Sequence, residues 1–313
     1  MKLFSKQKKQ GWLVICSENT NTQIVHVSRL TRQKPVVEIA KTLPGTIQDQ
    51  AVLQAINAEL DLNRFHCTLL LTQGDYHIFQ LEKPNIPANE IKQAVSWKLK
   101  DMIDYPVEQA TIDVVDIPAD QGKTNRQSFV YAIAARNERI GDYMQRFNAL
   151  TKAGLEVIDI PEMAQRNIAS YLEQENRGLA LLSINSKGCL LTFTANQELY
   201  YARQIDLNTD AFTSDDSEQK SNLYERLGLE IQRSLDNFER QFPQLAINRL
   251  ALAPFEGRED FYDYLTSYLY IQVDRFELSD VFNFEVGTVP ESLAEQAALL
   301  PLLGAALRDE VAR

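Results

Sequence analysis

A hairpin followed by a helix is laid down twice along this chain, and that repeat limits the folds open to it. Residues 11–28 read as two strands around a polar turn of Ser, Glu, Asn and Thr, as turns prefer. A third strand at 35–41 and a helix over 46–61 follow, the helix carrying Ile47, Ala51, Ile56 and Leu60 as apolar positions. After Gly178 the order returns, with strands at 179–185, 188–194 and 198–205. A polar, acidic stretch at 206–221 leads into a long helix over 222–242. There Leu223, Leu227, Ile231, Leu235, Phe238 and Phe242 share one helical stripe. Strand 247–253, helix 258–269 and strand 271–276 complete an α/β layer. With 313 residues the chain can bury a sizeable core and hold two to four subdomains.

Between the repeats, after strands at 66–72 and 76–81, lies a segment of different rhythm. It reads as helix 89–103, strand 111–117, a polar loop at 119–126, strand 128–135 and helix 137–153. Ile91, Ala94, Val95, Leu99 and Met102 fall on one amphipathic stripe. Asn89 suits the N-cap, and Pro106 forbids continuation of the helix. Trp97 and Asp101 lie off that stripe, so the indole packs elsewhere or meets a partner. Ile112, Val114 and Ile117 follow in strand rhythm.

Charge and special residues narrow the function classes. A net charge of −11 repels nucleic acid and anionic lipid from most of the surface. The exception is the start, where Lys2, Lys6, Lys8 and Lys9 surround Leu3 and Phe4. Such a tail is either a frayed terminus or a loose contact with the inner leaflet, at roughly 1 kcal/mol per basic residue. The apolar run Trp12–Cys16 is too short for a signal peptide, and no run has the length of a spanning helix, so a cytoplasmic protein is expected. Cys16, Cys67 and Cys189 lack the spacing of a disulfide framework or zinc site and read as buried thiols. His66 and Cys67 are strand neighbours pointing to opposite faces, which removes them as a base and nucleophile. The acids Asp215, Asp216 and Glu218 read as a solvated loop, and no P-loop, GxGxxG or HExxH is present.

Four segments resemble PilM-like proteins, the actin-like scaffolds of type IV pilus assembly. The first is Val95, Trp97, Ile103, Tyr105 and Pro106 ahead of a strand. The second is Gly154-Leu155, Asp159 and Pro161. The third is Arg233-Ser234-Leu235-Asp236, and the fourth is the closing helix with Gly304 and its alanines up to Arg308. Trp-Lys-x-Lys-Asp at 97–101 looks most like the MshI-type members that serve mannose-sensitive haemagglutinin (MSHA) pili. The resemblance covers about residues 11–308. It implies an α/β, actin-like (ribonuclease H-like) two-lobed fold with an inserted α+β subdomain. Its parts would be a basic tail at 1–10, a first lobe at 11–82, the insert at 83–153, and a return to the first lobe at 154–178. A second lobe at 179–286 and a C-terminal helix at 287–313, packing on the first lobe, would complete it.

Actin-like ATPases hold nucleotide with two Asp-x-Gly hairpins and a glycine pair, and this chain departs from all three. Val14-Ile15-Cys16-Ser17 stands where Asp-Ile-Gly-Ser would be, and Ser183-Ile184-Asn185 replaces Asp-Ile-Gly. Ala253-Pro254 replaces the glycine pair, with only Gly257 nearby. Proline donates no amide and side chains crowd a phosphate. One lost electrostatic contact costs about 3–4 kcal/mol of barrier, and two acids are absent. The resemblance therefore implies a pseudo-ATPase with no cofactor, in which Ser17, Ser183, Asn185, Ser186 and Gly257 mark a degenerate nucleotide cleft. Weak ATP binding stays compatible with those hydroxyls. It further implies a scaffold at the inner membrane that grips the N-terminal peptide of a bitopic pilus protein, with Trp97, Tyr105 and Tyr131 as candidates for the groove and the pilus motor on its other side. An active ATPase of the same machinery is the alternative. A sugar-kinase-like or hydrolytic α/β enzyme is disfavoured by the same missing acids.

Overall fold

The computed structural model describes residues 8–18, 20–29, 33–118, 128–151, 154–175, 177–207 and 209–309. The first half runs β1 (Trp12–Glu18), β2 (Asn21–Ser28), β3 (Val36–Pro44), α1 (Gln50–Leu60) and β4 (His66–Leu70). Then come β5 (Tyr76–Glu82), α2 (Ala88–Leu99), β6 (Ala110–Ile117), β7 (Phe129–Arg136), α3 (Asn137–Leu150), β8 (Val157–Asp159) and α4 (Pro161–Leu172). The second half runs β9 (Gly178–Asn185), β10 (Gly188–Ala195), β11 (Glu198–Ile205), α5 (Ser217–Gln241), β12 (Ile247–Leu252) and α6 (Arg258–Tyr268). It closes with β13 (Gln272–Arg275), α7 (Leu278–Val281), β14 (Asn283–Phe284) and α8 (Leu293–Ala306).

The repeat is written into the strand order. One sheet runs β14-β3-β2-β1-β4-β8 and another β11-β10-β9-β12-β13. Apart from β14, each is a three-strand meander followed by two strands added on the far side of its first strand. In the second sheet β10 pairs antiparallel with β9 and β11, while β12 pairs parallel with β9 and β13. A parallel neighbour needs a crossover, which α5 and α6 supply. Buried on both faces, β9 and β10 read as near-continuous apolar runs, as a covered sheet requires.

Contacts group the described residues of Met1–Lys9, Ile15–Thr22 and Thr42–Asp159 as one compact unit, and those of Gln10–Val14, Gln23–Lys41 and Ile160–Arg313 as a second. In the second unit α4 lies on β9, β10 and β11, and α8 lies along α4. The sequence reading gave α4 and the closing helix to the first lobe, whereas these contacts gather both with the five-stranded sheet. The close approach rests on Gly304, where a Cβ would stand 2.2 Å from the Ala164 carbonyl oxygen. Asn167 Nδ2 donates to the Gly304 carbonyl at 2.9 Å across the same seam.

The third sheet, β5-β7-β6, carries α2 in the first unit. The strand expected at 76–81 belongs to this layer, because β5 pairs with β7 from Tyr76↔Ala135 to Glu82↔Phe129. The inserted layer thus begins at Tyr76 rather than after Glu82. The helix is shorter than its apolar period suggests. It starts at Ala88 with Pro87 at the N-cap position, not at Asn89, and stops at Leu99. Turn bonds from the Met102 and Ile103 amides to the Leu99 carbonyl then rotate the chain. Ile103 takes the inner place at 9% exposure and Met102 is left 43% exposed. The loop expected at 119–126 and the tail residues Lys2, Leu3, Phe4 and Lys6 lie outside the described residues. Lys8 and Lys9 are held by the first unit. Lys8 ion-pairs with Glu156, and Lys9 donates its amide to the Arg64 carbonyl with its ammonium 5.5 Å from the Phe65 ring centre. No helix of the described residues is long and apolar enough to cross a membrane.

Candidate functional site

Two sets of residues carry the functional reading. The first is the inserted layer. Ile91, Val95 and Leu99 of α2 lock onto Val130, Ala132 and Ala134 of β7, with Ile103, Tyr105 and Ile112 filling the same core. Strand alternation sends Tyr131 to the opposite face of the sheet from Val130 and Ala132. Trp97 is 68% exposed, Tyr105 7% and Tyr131 3%. The three candidate groove aromatics are therefore not gathered on one surface, and of them only Trp97 presents its ring to solvent. Tyr105 is a packing residue, with the Arg136 guanidinium 4.1 Å from its ring centre. Burial raises its phenol pKa, with Arg136 opposing and Asp104 assisting.

The second set is the pair of hairpins. In the first unit Ser17 is the penultimate residue of β1, where its Oγ accepts the Ile47 amide at 3.0 Å and meets Thr22 Oγ1 at 3.0 Å. Thr22 donates to the Gly45 carbonyl at 2.8 Å. Ser17 thus ties its hairpin to the chain leading into α1.

In the second unit the position expected for an acid is Ser183, 8% exposed, whose Oγ donates to Gln165 Oε1 at 2.6 Å. Gln165, on α4, points its amide nitrogen at the carbonyls of Leu181 (2.8 Å) and Leu190 (3.1 Å) and at Thr192 Oγ1 (3.0 Å). The buried Gln165 amide is thus engaged at both ends. Asn185 Oδ1 accepts the Lys187 amide at 2.9 Å and closes the turn, while Ser186 is exposed at its tip. Sequence reasoning does not single out Gln165. It leaves no local signal, because it meets Ser183 only through the packing of α4 on β9.

The turn from β12 to α6 is filled rather than open. The Ala253 amide is spent on the Leu182 carbonyl at 3.0 Å, Pro254 has no amide to offer, and both residues are buried. Phe255 packs edge-on to Phe212 at 4.8 Å, and Phe212 lies 5.2 Å from Phe261. Gly257 adopts φ +84° at the start of α6, and a Cβ there would stand 2.6 Å from the Phe212 carbonyl oxygen. Its glycine serves this contact. Aromatic rings thus pack beside this turn.

Other reactive groups are quenched. Burial pushes the Cys67 thiol up to about 12, against a lowering by Lys8, and pushes the Cys189 thiol up to about 12 as well. His66 Nδ1 lies 2.9 Å from Glu156, away from any use of Cys67. Burial would raise the Glu156 pKa, but hydrogen bonds from Lys8 and His66 outweigh it and hold the carboxyl low. Asp216 is not a loop acid but the cap of α5, its Oδ1 accepting the Glu218 and Gln219 amides. Among the described residues no three His, Cys, Asp or Glu side chains could hold a metal ion.

The twofold strand order, with an extra layer between β4 and α3, is that of the actin-like ATPase fold. The chain is similar to PilM from the PilM–PilN type IV pilus biogenesis complex, over 96% of its own length and 98% of that chain, with a TM-score of 0.69 and 18% identity. A Bacteroides thetaiotaomicron protein of actin-like ATPase fold and unknown function follows over 96% and 99%, with a TM-score of 0.51 and 11% identity. At these identities the likeness establishes the fold. No protein-family model and no curated protein matches the sequence.

Proposed function

We propose that this chain is a PilM-like cytoplasmic scaffold of type IV pilus biogenesis, of the MSHA type, that captures the N-terminal tail of an inner-membrane pilus protein and does not turn over ATP. The observation that carries the reading is the likeness to PilM along nearly the whole chain, inserted layer included. The four matching sequence segments support it independently. A place at the inner membrane follows from the partner, with the basic N-terminus as a secondary contact.

Trp97 is the proposed partner anchor. It stands on a helix whose other face is locked into the sheet, so its 68% exposed ring is held rigidly outward. Exposed aromatics of this kind are enriched where interfaces concentrate their binding energy. Tyr105 and Tyr131 support the reading from beneath: they stiffen the layer that presents the indole.

Inactivity toward ATP is supported by the engaged Ser183 hydroxyl, the spent Ala253 amide and the rings beside Pro254. The test is a thermal-shift titration with ATP and Mg²⁺ beside a phosphate-release assay. The scaffold reading expects no shift and no turnover. Phosphate release that follows the protein through purification and is abolished by Ser183→Ala would establish the ATPase instead.

A further inference from the structure

A second surface, on α5 and α6, has the chemistry of a docking site. Tyr264 and Tyr268 stack at 5.3 Å and 16° along α6, and Tyr224 continues the row at 5.6 Å from Tyr264. Gly228 makes this possible: a Cβ there would come 3.0 Å from the Tyr264 ring and 3.1 Å from that of Tyr268. The tyrosines therefore lie flat against α5. Tyr268 is 42% exposed, Tyr270 58%, and Leu229 on α5 41%. Exposed apolar groups mark interaction sites where they cluster.

Charge says which occupant. Glu225, Leu229, Gln232, Asp236 and Glu239 follow one another at three- and four-residue spacing, which places them on one exposed face of α5. Tyr270 donates its hydroxyl to Glu239 at 2.9 Å, and Asp236 accepts from Gln232 at 2.9 Å. Glu225 receives only a long 3.4 Å contact from Ser221. Among the described residues, none of these three carboxylates is in an ion pair. The cations of α5 are turned elsewhere: Lys220 to Asp260, Arg226 to the Asp206 carbonyl, Arg233 to Glu230 and Arg240 to Asn237. The strip thus joins exposed aromatics to three carboxylates free of ion pairs, with Arg233 and Arg240 along one border turned to Glu230 and Asn237.

We infer that this strip of α5 and α6 docks a basic amphipathic segment of a protein partner, its apolar side chains on Leu229, Tyr268 and Tyr270 and its lysines or arginines over Glu225, Asp236 and Glu239. Exposed tyrosine faces also attract ammonium and guanidinium groups. This interface is separate from the one proposed at Trp97 and does not depend on it.

The test uses the full chain and, as probe, a synthetic helical peptide of about five turns with leucines on one face and lysines on the other. Hydrogen exchange should show protection at 221–239 and 264–270. Leu229→Asp and Tyr268→Ser should each weaken binding at least tenfold with little change in melting temperature. A charge control of the same sign elsewhere, Asp113→Lys, should leave affinity within twofold. Protection confined to other regions, or equal losses from Asp113→Lys and Glu225→Lys, would reduce the attraction to net charge and overturn the site. Concentration-dependent self-association of the protein alone that Leu229→Asp abolishes would also overturn it, by assigning the strip to a second copy.

Discussion

At the scale of single residues, Ser183 is readable from sequence as a departure from the expected acid, but its partner is not. The hydroxyl finds Gln165 across the packing of a helix on a strand, and no spacing pattern announces such a pair. Gln165→Leu should strand a buried hydroxyl and two strand carbonyls. An unsatisfied buried group costs about 1–3 kcal/mol, so urea unfolding should show a loss of that size. A second expectation concerns alkali. The thiols of Cys67 and Cys189 and the phenols of Tyr143 and Tyr224 are each raised to about 12, burial being the largest cause. Each folded pKa lies above its ordinary value of 9.0 or 10.0, so the stability tied to these groups is intact below about pH 9. It is lost as pH climbs from there toward 12. Melts from pH 7 to 11 should fall progressively above 9, and thiol reagents should label the native protein at pH 8 only on unfolding. Rapid labelling of all three cysteines in the fold would contradict their burial.

At the scale of elements, the sequence was legible where one period ran without competition. The long stripe of α5 and the apolar runs of β9 and β10 correspond to the observed elements. The end of α2 was not legible, because Ile103 and Met102 both continue the apolar pattern and only the turn after Leu99 decides which one enters the core. The edge of the inserted layer was hidden for a related reason. A strand such as β5 shows its apolar rhythm but not its neighbour. Gly304 was legible as a point of close approach, and the structure identifies its neighbour as α4. Gly304→Ala should therefore drive a methyl into the Ala164 carbonyl and part the α4–α8 seam. Overpacking of this kind costs about 1–3 kcal/mol, measurable as a lowered urea midpoint with the slope retained. Unchanged stability would mean that the two helices can separate freely.

At the scale of the whole molecule, the actin-like plan was legible because the chain repeats itself. The same strand order appears in two sheets, and a chain that repeats hairpin, helix and crossover has few alternatives. The allocation of α4 and α8 was not legible, since an apolar helix states that it must be covered and not by which sheet. The proposed function rests on the departures from the expected nucleotide-binding residues and on an outward indole on a locked helix. The most direct test is calorimetric titration of the N-terminal peptide of the inner-membrane pilus protein proposed as partner into the wild type and into Trp97→Ala. The scaffold account predicts saturable binding without nucleotide, weakened in the variant by about 2 kcal/mol, roughly thirtyfold, with the melting temperature almost unchanged. Absence of binding by the wild type, or equal binding by a folded Trp97→Ala, would contradict it.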